Sequence, residues 1–389
     1  MDLLSSEECH LIAQRTLSVV KKDNVILINS QVDAGSKDLM GYMGEYYKLH
    51  LEAEVKGDKK KYFLNYFIKS LPRKNEPQRE ECERKGVFQK ESALYSQILP
   101  KIQKYATKKL YPKCYYSRND ILVLEDLTQD YRHLRANEYY TLDHYKIVLE
   151  HLSELHAASI AWEEKENVKI YESYKNVLIE LHLDSNNSWY ITGLKAIVFL
   201  AARNPHFQTM KAQNFIQDKL YNLLTKAEEL VAPSKTIRNV LCHRDTWDHN
   251  IVYYFNKESS VLPNACCIVD FQLTQYCSPT LDVLFLLYIV ASAEVRRAIY
   301  DECLEHYYKN LQHHLDRLGL DKNLITENNF RKECQRTRLA ALKFDYYLNC
   351  DRSELLLRVI EIQPGYEETI MTPIRELVDY LMENENLYI

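Results

Sequence analysis

The chain has 389 residues, 46% of them hydrophobic and 27% charged, the composition of a soluble globular protein with room for two cores. A formal net charge of -5 lacks the basic surplus of a nucleic-acid binder, and that partner class is not expected. The ten cysteines form no C-x-x-C pair, and the adjacent Cys266 and Cys267 would face opposite sides of a strand; reduced thiols in a cytoplasmic protein are expected. Met1 to His10 is acidic and polar, unlike a secretory signal. The longest apolar run, 283–291, is too short to span a bilayer, so no membrane partner is expected either.

Along the chain, Ser5 and Glu8 have capping-box spacing and open a helix expected to end near Lys21. Strand-like segments follow. Tyr47, Leu49, Leu51, Ala53 and Val55 alternate with Lys48, His50, Glu52 and Glu54, the period of a half-buried strand. Gly57-Asp58 marks a turn, and Tyr62 to Ser70 reads as the returning strand of a hairpin. Residues 78–99 read as one helix with Val87, Phe88, Leu94, Tyr95, Ile98 and Leu99 on its apolar face. A strand from Ile121 to Leu124 runs into Glu125-Asp126-Leu127. Helical patterns dominate from there, broken by a β-rich island between Val240 and Leu273. This layout predicts an α+β, bilobal chain. A small N-terminal lobe over 1–128 carries an antiparallel sheet and one helix, and a larger, mainly helical lobe covers 129–389.

The strongest chemical signal is His243-Arg244-Asp245-Thr246-Trp247-Asp248-His249-Asn250, which follows a short apolar strand and matches H-R-D-x-x-x-x-N in every fixed position. An aspartate that takes the proton of an attacking hydroxyl and an asparagine that reaches a metal on the ATP phosphates need this spacing. A second apolar strand, Cys266 to Val269, ends abruptly in Asp270, whose hard oxygens suit Mg²⁺; a strand-end aspartate that merely caps a turn has the same local look. Lys69, near the end of the returning strand, is placed to bridge phosphates. Glu91 lies inside the apolar stripe of the following helix, where a charge needs a partner. Taken singly, Lys69 could equally be a solvated lysine and Glu91 a stripe-edge residue reaching water. Gly41 and Gly44 bracket a turn before the alternating strand and could admit phosphate close to the backbone, or form a plain hairpin turn. Glu125 and Leu127 fall where a hinge would offer backbone groups to adenine. The order of these signals (glycine turn, lysine, glutamate, hinge, catalytic loop, metal aspartate) is that of the protein-kinase-like fold with ATP and Mg²⁺ as cofactors. No G-x-x-x-x-G-K-[ST] loop and no G-x-S-x-G elbow is present.

Two features argue against a protein acceptor. Gln272 stands where D-F-G has glycine. Asp282 follows Asp270 by only twelve residues, through Ser278-Pro279-Thr280-Leu281, which leaves no room for a peptide-docking segment. The run Leu241 to Asn250, Asp270-Phe271-Gln272 and Ser278-Pro279-x-x-Asp282 resembles the ecdysteroid kinase-like family of arthropods, related to aminoglycoside and choline kinases. The resemblance extends through Glu91 with Tyr95, Val123 to Leu127, and Leu155-His156-Ala157-Ala158-Ser159. It implies phosphorylation of a hydroxyl on a steroid or other small molecule. Asp245 would then be the base, Asn250 and Asp270 the metal ligands, Lys69 with Glu91 the phosphate clamp, and Asp282 a brace for the catalytic loop. The chain departs from many relatives at Arg244, where they have glycine, and at His249, where they have asparagine. The alternatives are a non-catalytic nucleotide-binding scaffold and a choline- or aminoglycoside-type kinase. The sequence leaves the acceptor unidentified.

Overall fold

The computed structural model describes residues 3–17, 24–35, 43–58, 60–135, 138–256, 262–344 and 366–388. The chain divides into two compact units, Met1–Leu134 with Val252–Gln272, and Arg135–Ile251 with Leu273–Ile389. The first unit is thus built from two stretches far apart in the sequence.

In the first unit, α1 (Ser6–Thr16) opens on the expected capping box, with Ser5 and Glu8 each accepting the other's backbone N–H. It closes at Thr16, and the rest of the helix expected to Lys21 lies outside the described residues. Five strands form an antiparallel sheet: β1 (Val25–Ala34), β2 (Glu45–Val55), β3 (Lys61–Ser70), β4 (Cys114–Arg118) and β5 (Ile121–Glu125), in the order β1-β2-β3-β5-β4. Leu49, Leu51, Ala53 and Val55 of β2 are buried, as the alternation requires. They pack with Ile68, Val123 and residues of α1 such as Ile12.

The single helix expected over 78–99 is instead α2 (Glu76–Lys85), α3 (Val87–Ala93), a π-helical turn Leu94–Ile98, and α4 (Leu99–Gln103). Gly86 separates α2 from α3 because it closes α2 at φ 66°, in the left-handed region where glycine carries no Cβ penalty. The second stretch of this unit supplies β8 (Ile251–Tyr254) and β9 (Ala265–Ile268). With β6 (Tyr131–Arg132) they form a three-stranded sheet.

The second unit is mainly helical. Its elements are α5 (Leu142–Glu166), α6 (Ile170–Tyr174), α7 (Ser188–Arg203), α8 (Met210–Phe215), α9 (Tyr221–Thr225), α10 (Ala227–Val231), α11 (Thr280–Ile289), α12 (Ala293–Arg317), α13 (Glu327–Phe344) and α14 (Tyr366–Asn384). Its β7 (Val240–Cys242) pairs with β10 (Gln275–Cys277). The apolar run at 283–291 is α11 and the turn after it; within α11, Leu281 to Leu287 are fully buried. No helix among the described residues is long and apolar enough to cross a membrane. The protein is thus α+β, with the division of the protein-kinase-like fold into an antiparallel-sheet unit and a helical one.

Candidate active site

In the first unit, β3 carries Lys69 to within 2.7 Å of Glu91 on α3, with both side chains almost wholly buried. A buried lysine and a buried glutamate tolerate this only as partners. Lys69 Nζ also donates to Asp270 Oδ1 at 2.8 Å and to Gln272 Oε1 at 3.2 Å. The Phe88 ring lies 5.8 Å from the ammonium. Burial pulls the Lys69 pKa down, but the charges of Asp270 and Glu91 outweigh it and raise it above the ordinary lysine range. Burial, helped by the Asp270 charge, pushes Glu91 up to about 7 against the pull of Lys69 and the Phe271 N–H.

Glu91 has a second duty. Its Oε1 accepts the Phe271 N–H at 3.2 Å, so one carboxylate ties Lys69 to the backbone just after Asp270. The Phe271 ring meets Tyr95 and Tyr111 edge-on, with centroids 5.9 and 6.1 Å away. Tyr95 sits in the π-helical turn, a device that re-aims side chains within one helix. Asp270 itself, after β9, adopts φ 66°, a region that aspartate tolerates better than most residues.

Gly44 stands against this cluster. A Cβ there would press on the Ser70 carbonyl at 3.3 Å and meet Lys69 Cγ at an ordinary contact distance of 3.4 Å. Gly41, the other glycine singled out, lies outside the described residues. Glu125 donates its N–H to the Lys113 carbonyl at 2.8 Å, so any adenine contact it makes must run through its carbonyl. Leu127 begins a 3₁₀ turn capped by Asp126, and its N–H is not used by that turn.

In the second unit, β7 leads into the run His243 to Asn250. Asn250 Nδ2 donates to Asp245 Oδ2 at 2.8 Å and to the Asp245 carbonyl at 3.0 Å. With its nitrogen end committed, Asn250 has its carbonyl oxygen to offer a cation, the end a hard metal prefers. Asp282, in the first turn of α11, accepts the N–H of His243 at 2.6 Å and of Arg244 at 2.7 Å. The Thr246 hydroxyl donates to the Asp282 carbonyl, and His156 Nε2 is 3.1 Å from Asp282 Oδ2. Burial alone would raise the Asp282 carboxyl; the His156 bond, the neighbouring histidine charges and the loop N–H groups overcome it and hold the carboxyl low.

His156, Cys242 and Asp282 have donor atoms within 4.8 Å of one another, but Asp282 is already filled by the loop N–H groups and the histidine. His156 Nδ1 pairs with the Tyr307 hydroxyl at 2.7 Å.

Arg244 takes φ 70° and is buried, with Nη2 3.4 Å from Glu180 Oε2. Gln275 Nε2 donates to the same oxygen at 3.1 Å. His249 stacks on Trp247 at 4.4 Å and bonds Asp248 Oδ1 at 2.8 Å.

Lys69, Glu91 and Asp270 are therefore brought together in one unit, and Asp245 with Asn250 in the other. The residues that sequence reasoning missed are Glu180 and the bonding role of Gln272. His156 was noticed only through the family resemblance. A histidine inside the apolar stretch of α5 was its one local signal, whereas nothing local marks Glu180.

The chain belongs to the ecdysteroid kinase-like family, whose model matches residues 39–320, well over half of the sequence. No curated protein matches it. Among solved structures it is similar to a gentamicin complex of APH(2")-IIa, at 14% identity over 100% of both chains with a TM-score of 0.39. It is similar to the ADP-bound aminoglycoside phosphotransferase APH(2'')-Ib, at 16% identity over 99% of this chain and 100% of that one, with a TM-score of 0.37. It is also similar to the macrolide 2'-phosphotransferase MphH from Brachybacterium faecium, at 13% identity over 93% of this chain and 97% of that one, with a TM-score of 0.39.

Proposed function

We propose that the protein transfers the terminal phosphoryl group of ATP to a hydroxyl of a small molecule. The observation that carries this reading is the buried ammonium of Lys69 held by Glu91 and Asp270. Such a cation is an expensive thing to bury and suits phosphate oxygens. Membership of the ecdysteroid kinase-like family supports the same reading.

In this mechanism Asp245 receives the acceptor proton as the acceptor oxygen bonds to phosphorus, and ADP departs with the electrons of the broken P–O bond. Asn250 orients Asp245 through its amide nitrogen. Asp270 in the first unit and the Asn250 carbonyl in the second each offer the hard oxygen that Mg²⁺ takes, and the ion would offset phosphate charge. Adenine would bond the Glu125 carbonyl and the Leu127 N–H.

The acceptor is a largely apolar alcohol of the ecdysteroid or xenobiotic class. The family supports the class, and the eleven positions between Asp270 and Asp282 support small size. They are spent on a 3₁₀ turn, β10 and the start of α11, with no segment to dock a peptide. A cytoplasmic setting accords with the nine described cysteines, all of which are free thiols.

The test is phosphate transfer from Mg-ATP to a panel of steroids, phenols, glycosides and amino alcohols, read by mass spectrometry. A mass gain of one phosphate on a hydroxylated small molecule, lost in Asp245→Asn, is expected. Nucleotide binding without transfer to any acceptor would favour the non-catalytic scaffold. Transfer only to amino alcohols or aminoglycosides would move the acceptor class.

A further inference from the structure

An ammonium has three N–H bonds. Lys69 fills all three within its own unit: Glu91 Oε2 at 2.7 Å, Asp270 Oδ1 at 2.8 Å and Gln272 Oε1 at 3.2 Å. The carboxamide must present its oxygen here, because its nitrogen cannot accept. Gln272 is itself buried. In the protein-kinase triplet D-F-G this position has no side chain at all.

A saturated lysine cannot engage a phosphate without releasing a partner. Asp270 is the partner with a competing use for its carboxylate, since a divalent cation draws on the same oxygens. Glu91 is pinned from the other side by the Phe271 N–H, and Gln272 is neutral and offers a metal little. When Asp270 turns to a cation, Lys69 keeps two fixed acceptors and frees one N–H. The neutrality of Gln272 then matters. With Asp270 engaged by the cation, Lys69 and Glu91 cancel; a carboxylate at position 272 would turn that neutral pair net negative and repel phosphate, whereas no side chain would leave the ammonium held at one point only.

We infer that Gln272 is a positioning residue that keeps Lys69 aimed while a nucleotide phosphate replaces Asp270 on its third N–H. The inference rests on the nucleotide-binding reading above and adds to it the specific work of this side chain.

The experiment uses the full chain and calorimetry with two probes in the presence of Mg²⁺: a non-hydrolysable ATP analogue and adenosine. The variants are Gln272→Met, which keeps length but removes the acceptor, Gln272→Glu, which adds charge, and Gln272→Asn as the conservative substitution. Affinity for the ATP analogue should fall about tenfold in Gln272→Met and further in Gln272→Glu, with partial recovery in Gln272→Asn. Adenosine, which has no phosphate for Lys69 to hold, should bind all forms equally. Parallel losses for both probes, unchanged affinity for the ATP analogue, or failure of all three variants to fold would assign Gln272 a structural role and overturn the inference. A wild-type protein that binds neither probe would overturn the nucleotide-binding reading itself, a result distinct from the others.

Discussion

At the scale of single residues, Asp282 holds the loop 243–250 by its backbone, and Arg244 bends that loop through a left-handed φ. Asp282 is held below its ordinary pKa in the folded chain, so it stabilises the fold at pH values above the unfolded carboxyl value. That contribution should drain away as pH falls from about 4 downward, through the depressed folded value. Urea titrations between pH 3 and 7 should show Asp282→Asn with a lower plateau near neutrality and a flatter acid limb; an acid limb as steep as that of the wild type would reject the linkage. At Arg244 the left-handed backbone costs an L-residue about 1 kcal/mol that glycine does not bear. Arg244→Gly and Arg244→Ala both lose the Glu180 contact, and they differ in that backbone term. The glycine variant should be the more stable by about 1 kcal/mol in chemical unfolding. Equal stabilities would mean that the loop bears no strain. If Asp245 is the base of the proposed transfer, Asp245→Asn should abolish turnover while leaving affinity for the ATP analogue within about twofold, because that role is exercised on the acceptor and not on the nucleotide.

Among the elements, the coupling of β3 to α3 decides whether Lys69 has a function. The alternation of β2 and the return of β3 were legible because period-two burial depends only on neighbouring residues. Lys69 and Glu91 looked alike, two charges near apolar residues, with solvated alternatives for each. Only the antiparallel register and the break at Gly86 bring the two side chains to 2.7 Å. The pairing predicts non-additivity. Lys69→Met and Glu91→Gln should each weaken binding of the ATP analogue, with a coupling of about 1–3 kcal/mol in a double-mutant cycle. A cycle that closes additively would leave Glu91 to its bond with the Phe271 N–H alone. The π-helical turn after Glu91 was not legible, because an extra residue in a turn leaves no mark in an apolar stripe.

For the whole molecule, the first unit is completed by residues 252–272, so Asp270 folds with Lys69 although 200 positions separate them. Ligand that binds the native state alone stabilises it by mass action, about 2.7 kcal/mol at a hundredfold excess over Kd. Mg-nucleotide should therefore raise the melting temperature, and chelation of the metal should remove most of the gain. Asp270→Ala should respond equally to nucleotide with and without Mg²⁺. A wild-type response in that variant would remove Asp270 from the metal site.

The sequence alone determined the catalytic-loop pattern, the hairpin of β2 and β3, the capping box at Ser5, and the short path from Asp270 to Asp282. Each of these is written in local spacing, and local spacing survives without tertiary context. Tertiary structure alone decided that Lys69 is saturated by three acceptors, that Gln272 is one of them, that Glu91 also holds the Phe271 N–H, and that Arg244 reaches Glu180. These are contacts between side chains distant in sequence. Burial makes them obligatory, because a charge withdrawn from water must find its partner wherever the fold provides one.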